Sequence, residues 1–142
     1  AAVSLAQALP EAVRSAVRAV LTVSGFVVTF SVVTGVLDAS GLLPALVGTL
    51  SARLGLELHF ARALCTGVLE LGTGIGAMQG LTPTPANLAL AAFLIGWGGV
   101  SVHCQTAAVL AGTDIKSARH TAGRLLHGGI SALCMWVLTN LI

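Results

Sequence analysis

The chain has 142 residues, of which 56% are hydrophobic and only 8% are charged, and its formal net charge is +2. Soluble domains carry about 25% charged residues, so this composition excludes an ordinary soluble domain and indicates that much of the surface faces lipid. The seven Lys and Arg residues form no basic stripe, which gives no support for nucleic-acid binding. We therefore expect a single all-α domain, residues 1–142, in the lipid bilayer.

Residues 1–18 predict an amphipathic helix at the membrane interface. A basic amphipathic helix that leads into a hydrophobic span is typical of that location. For residues 13–18, an extension of the following span is an equally good interpretation. Four polar residues recur at helical steps on one face, opposite Leu, Ala and Val: Gln7, Glu11, Arg14 and Arg18.

Residues 19–37 are uncharged and long enough to cross a bilayer. Arg14 and Arg18 precede this span and Asp38 follows it, so the positive-inside rule places its N-terminal end in the cytoplasm. The apolar part of residues 41–55 is too short to span comfortably, which predicts a short or interfacial helix.

Residues 60–80 begin as an apolar helix and then contain Glu70, followed by four glycines in nine residues. An ionisable residue deep in an apolar segment is expensive and is commonly functional, and the alternative is a carboxylate that only holds helices together. The glycines fit either close helix packing or a helix that unwinds beside Glu70. Because glycine is unfavourable in a helix, their density favours a broken helix. The hydroxyl of Thr73 belongs to the same candidate site.

Residues 86–112 predict a re-entrant helical hairpin with its tip at the sequence GWGG. The apolar arms have about nine and thirteen residues, so each is too short to cross the bilayer. A continuous helix through the glycines is the alternative. Non-helical backbone at this depth is tolerated only inside protein or beside a wet cavity, so a tip here indicates a site or a pathway.

The residues at and after this tip are candidates for contact with a ligand. Ser101 and Gln105 share a helical face, while His103 points elsewhere and serves equally well as an interhelical hydrogen-bonding group. A helix that starts after the tip would direct its first amides at a ligand. The candidate residues at the tip are Gly98, Gly99, Ser101, His103 and Gln105.

Residues 115–142 predict the last helix, with Lys116, Arg119 and Arg124 favouring a cytoplasmic loop before it. Arg124 shares a face with His120 and His127, and this face either lines a cavity mouth or meets lipid headgroups, of which the second is the plainer interpretation.

The sequence offers no catalytic constellation. Ser101 and His103 point apart on a helix, and the glycine run lacks the Lys-Ser/Thr end of a phosphate-binding loop. We expect no enzyme, no cofactor and no metal site. The cysteines, which lie far apart in apolar segments, are interpreted as small core residues: Cys65, Cys104 and Cys134.

Five motifs in this order carry a resemblance to a known family: GFVVTFSVV, LELGTGI, GWGGVSVHCQ, TDI and RLLHGGIS. The chain resembles the C-terminal half of the sporulation integral membrane protein (YlbJ-type) family, which belongs to the nucleoside-recognition (Gate) domain group. It is similar, more distantly, to concentrative nucleoside transporters. The resemblance implies a multi-pass protein of a bacterial membrane, all-helical, with a broken helix and a re-entrant hairpin.

The resemblance also implies a function. Glu70 would match the acidic residue that contacts substrate in nucleoside carriers, and Gly98 to Gln105 would match a hairpin tip that forms substrate and ion sites. We therefore expect a membrane transport or solute-recognition unit that binds a small polar solute or ion near the bilayer midplane. The unit would act as a homo-oligomer or with a partner half that completes the site. The alternative is a structural membrane protein that transports nothing.

Overall fold

The computed structural model describes residues 4–114 and 116–141, except for the side chain of Gln7. Predictions that concern residues 1–3, Ile115, Ile142 and the polar face at Gln7 therefore lie outside the described part. The described residues form helices and contain no strand. The helices are α1 (Leu5–Ala39), α2 (Leu42–Leu54), α3 (Leu58–Leu69), α4 (Leu71–Ala77), α5 (Pro85–Trp97), α6 (Gly99–Leu110) and α7 (Ser117–Leu141).

Helix α1 is continuous from the predicted interfacial segment into the predicted span. The boundary expected at residue 18 does not interrupt it, because no glycine or proline follows Pro10 until Gly25. The stretch Ala8–Ala39 is long and apolar enough to cross a membrane, and Pro85–Leu110 is the second such stretch in the described chain. The predicted multi-pass topology remains a prediction.

Large apolar side chains cover the outside of α1 and α7. Leu9 is 61% exposed on α1, and Leu126 is 65% exposed on α7. A water-facing surface does not usually carry contiguous apolar patches of this kind. The exposed faces of these helices are therefore those of a protein in lipid, in keeping with the composition.

Helices α3 and α4 turn back on each other at Glu70. Glu70 has extended backbone angles, φ −144° and ψ 121°, between the two helices. Residues seven apart in a straight helix are separated by about 10 Å, yet the backbones of Gly67 and Gly74 touch. The stretch predicted as one broken helix over residues 60–80 is thus a tight helical hairpin.

Helices α5 and α6 occupy the segment of the predicted re-entrant hairpin, residues 86–112, and the two arms pack on different neighbours. Helix α5 packs chiefly on α7, whereas α6 packs on α1, α3 and α7. The physical reason is that Gly96 and Gly128 let the α5 and α7 backbones meet: a Cβ on Gly96 would lie 2.6 Å from the Gly128 Cα. The backbone is interrupted at Gly98, and the re-entrant path of residues 86–112 remains a prediction.

Candidate functional site

Glu70 is buried at the tip of the α3–α4 hairpin, 4% exposed, where its carboxylate caps α4. Oε1 accepts a hydrogen bond from the Gly72 amide at 2.8 Å. Oε2 accepts from the Thr73 amide at 2.6 Å and from the Thr73 hydroxyl at 2.7 Å. A carboxylate at a helix start satisfies amides that have no partner within the helix. Since a carboxylate has about four acceptor positions, Glu70 has about one left for another group.

The start of α6 lies directly against this tip. Gly98 and Gly99 have φ values of +85° and +80°, a left-handed conformation that glycine adopts without strain. A Cβ on Gly99 would lie 3.0 Å from the Leu71 amide nitrogen and 3.2 Å from the Glu70 Cα. Two breaks that are almost thirty residues apart in sequence therefore meet, and the starts of α4 and α6 come together.

Ser101 and His103, in the first turns of α6, carry buried polar atoms without partners. Ser101 is 1% exposed, and its Oγ has no hydrogen bond among the described residues. Both ring nitrogens of His103 are in the same condition. Gly98, which precedes α6, provides no side-chain cap for its first amides. Buried polar groups in proteins nearly always have hydrogen-bond partners. The described residues supply too few partners for the polar atoms of this region.

Trp97 and Arg124 stabilise the interruption between α5 and α6 through hydrogen bonds to backbone carbonyls, and the sequence predicts neither role. The Trp97 Nε1–H donates to the Val68 carbonyl at 3.1 Å, which joins α5 to the end of α3. Arg124 donates from Nε to the Trp97 carbonyl at 3.3 Å and from Nη2 to the Ile95 carbonyl at 3.2 Å. A cation at a helix C-terminus satisfies its last carbonyls and complements its dipole.

The predicted site residues fall into two groups. Gly99 meets the Glu70 backbone at the tip, Thr73 is bonded to the Glu70 carboxylate, and Gly98 and Ser101 lie beside Gly99 in the chain. His103 lies further in, with its ring centroid 4.2 Å from that of Trp97 and 6.0 Å from that of His120. Gln105 is half-buried in α6, about 9 Å along the helix from Gly99. In the part of the chain that the structure describes, no group of three or more His, Cys, Asp or Glu residues could hold a metal ion.

Replacing Trp97 with Phe is expected to lower the free energy of unfolding by about 1 kcal/mol more than the same replacement of an exposed tryptophan does. Val68 is in the last turn of α3, so its carbonyl has no helical partner and depends on the Trp97 indole. The measurement is an unfolding titration in detergent micelles, with Trp136→Phe, at a 51% exposed position, as the control. Equal effects of the two variants would contradict the role assigned to Trp97.

No family model matches the chain, and no solved structure matches it. It is 30% identical over 138 residues to the sporulation integral membrane protein YlbJ of Bacillus subtilis (strain 168), an alignment that covers 94% of the chain. The chain spans about a third, 34%, of the length of that relative. The similarity supports the family resemblance found in the motifs, and the apolar helices agree with a place in the membrane. The chain is therefore an all-helical membrane protein similar, over nearly its whole length, to the YlbJ-type sporulation integral membrane proteins.

Proposed function

We propose that the chain is a solute-recognition unit of a membrane transport protein of the Gate-domain type. It would bind a small polar solute or ion near the bilayer midplane. One observation carries the proposal: the starts of α4 and α6 meet, and the second presents a buried Ser101 hydroxyl without a partner. Helix N-termini inside a membrane protein carry amides with a partial positive charge, and transport proteins use such amides to hold substrates.

The hydrogen bonds indicate different roles for the two helix N-termini: that of α4 is structural, and that of α6 contacts the solute. Glu70 and Thr73 hold the tip in shape, and Glu70 offers about one remaining acceptor position to a solute. Ser101 and the first amides of α6 make the direct contacts. Gln105 shares the helical face of Ser101 and would reach a larger solute, whereas His103 lies on another face of α6, beside Trp97 and His120. Gly98 and Gly99 allow the close approach, since a side chain on Gly99 would press on the Glu70 backbone.

A second chain segment completes the site in this proposal. The chain spans about a third of the length of YlbJ, and its site, as described, leaves Ser101 and His103 without partners. A second copy of the chain, or a partner half with its own broken helices, would supply further contacts. Such a protein would cross the membrane several times.

A structural role without transport is the second candidate, and the Glu70 hydrogen bonds favour it. All three bonds are made within the start of α4, so the carboxylate has a complete structural reason to be there. In that case the tip is a packing device that locks α6 against the α3–α4 hairpin.

A panel of solutes separates the two candidates. The chain is reconstituted in proteoliposomes, and the uptake of nucleosides, amino acids and inorganic ions is measured beside the shift in thermal midpoint that each produces. A recognised solute stabilises the folded protein, by about 2.7 kcal/mol at one hundred times its dissociation constant. The thermal midpoint therefore rises with solute concentration. We expect one solute class to do so. If none is taken up and none shifts the midpoint, the structural role is the correct one.

A further inference from the structure

A cavity with several polar lining residues lies apart from the contact between Gly99 and Glu70. It measures about 370 Å³, is open on one side, and is lined by residues of α1, the start of α2 and the two arms of the α3–α4 hairpin. Pockets that hold small ligands begin at about 300 Å³, so the space is sufficient for a compact solute. Its polar lining residues are Ser31, Thr34, Asp38, Arg62, Thr66 and Thr73.

An ion pair with one unused oxygen lies in this cavity. Arg62 Nη2 contacts Asp38 Oδ2 at 2.9 Å, which joins α3 to the end of α1. The other carboxylate oxygen, Oδ1, is buried and has no hydrogen-bond partner among the described residues. The Asp38 side chain as a whole is 39% exposed, but Oδ1 lies on its covered side and would gain from a donor that the described residues do not supply.

The threonine hydroxyls of the cavity are also available only as acceptors. Thr34 donates its proton to the Phe30 carbonyl at 2.8 Å, and Thr66 donates to the Arg62 carbonyl at 2.9 Å. Thr73 donates to Glu70 Oε2. Each hydroxyl oxygen keeps lone pairs that no described donor uses. Thr34 and Thr66 are 4% and 2% exposed, so bulk solvent does not reach them freely.

We propose that this cavity binds a small, neutral, hydroxyl-bearing solute. Asp38 Oδ1 and the threonine oxygens can accept hydrogen bonds, and the N–H groups of Arg62 that do not bond to Asp38 can donate them, so a hydroxyl group, which does both, suits this lining. The Asp38–Arg62 pair has no net charge, so it offers no attraction to compensate a charged solute for its lost hydration. Of the residues assigned to the tip, Thr73 alone also lines this cavity, so the two sites can be tested separately.

Binding of radiolabelled D-ribose and myo-inositol to the purified chain, followed by scintillation proximity, tests the proposal. The variant Thr34→Val/Thr66→Val removes two cavity hydroxyls without changing their volume much. We expect saturable binding to the wild type and binding at least about tenfold weaker to this variant, the loss of about one good hydrogen bond. The matched control is Thr29→Val, whose hydroxyl makes the same intrahelical bond, to the Gly25 carbonyl, at an exposed position.

Two further measurements make the test decisive. Unlabelled glycerol is expected to compete with D-ribose in the wild type, whereas triglyme, a polyether with acceptors and no donor, is not. Ser101→Ala is expected to bind D-ribose as the wild type does, since Ser101 does not line the cavity. Absence of saturable binding, or unchanged binding by the double threonine variant, would overturn the proposal. Loss of D-ribose binding in Ser101→Ala would also overturn it, because the solute would then lie at the tip.

Discussion

Replacing Gly74 with alanine is expected to destabilise the fold by about 3 kcal/mol, at the upper end of the cost of overpacking. The new Cβ would overlap the Gly67 backbone and lie 3.2 Å from the Ala63 carbonyl oxygen. Backbone atoms cannot rotate away as a side chain would, so the two arms of the hairpin must separate. The measurement is the midpoint of unfolding in detergent micelles.

The matched control for this prediction is Gly76→Ala. Gly76 is two residues further along α4, and a Cβ there meets nothing within 4 Å. Alanine is favoured over glycine in a helix by up to about 1 kcal/mol, so this variant is expected to be neutral or slightly stabilised. Similar midpoints for the two variants would contradict the back-folding of α4 onto α3.

Replacing Glu70 with alanine is expected to cost about 3 kcal/mol, because it removes a buried carboxylate and leaves the part-buried amides of Gly72 and Thr73 without their acceptors. Glu70→Gln is expected to cost about half as much, since the amide side chain has one acceptor oxygen for two backbone amides. Unfolding titrations measure both variants. A Glu70→Gln defect in transport alone is therefore not evidence that Glu70 touches a solute.

Glu57 provides an internal control for the Glu70 variants. It caps α3 in the same manner and accepts from the amides of His59 and Phe60, both at 3.1 Å, but it is exposed. Water can replace its carboxylate, so Glu57→Ala is expected to cost only about 1 kcal/mol, an ordinary helix cap. If the two alanine variants are equally destabilised, burial of the Glu70 tip is contradicted.

Local signals in the sequence were sufficient to place the breaks of the chain. An acid followed by closely spaced glycines predicts an interruption near residue 70, and the GWGG sequence predicts another near residue 98. The structure has both, at Glu70 and Gly98, and brings them into contact. These signals are local because a glycine with a positive φ and a capping carboxylate act on the residues beside them.

The pairing of the arms could not be predicted in this way. Whether a break becomes a hairpin depends on which glycines find each other, Gly67 with Gly74 and Gly96 with Gly128, and periodicity does not contain that information. The role of Arg124 could not be predicted from the sequence for the same reason, since its carbonyl acceptors are 27 and 29 residues away. The Asp38–Arg62 pair joins residues 24 apart in sequence, so local signals do not predict it either.

The central claim is that Ser101 contacts a solute at the meeting point of α4 and α6. Ser101→Ala removes a buried hydroxyl that has no partner, so the variant is expected to be as stable as the wild type or more stable, by up to about 1–3 kcal/mol. A purely structural site predicts the same result. Stability alone therefore does not distinguish the candidates, and the affinity for the solute does.

The decisive measurement is the dissociation constant of the solute identified by the panel, determined by titration calorimetry for Ser101→Ala and for Ser24→Ala, an exposed serine on α1. Solute recognition at the tip predicts affinity at least about tenfold weaker in Ser101→Ala, about 1.4 kcal/mol, and unchanged affinity in Ser24→Ala. Equal affinity in both variants, with Ser101→Ala fully folded, would contradict it.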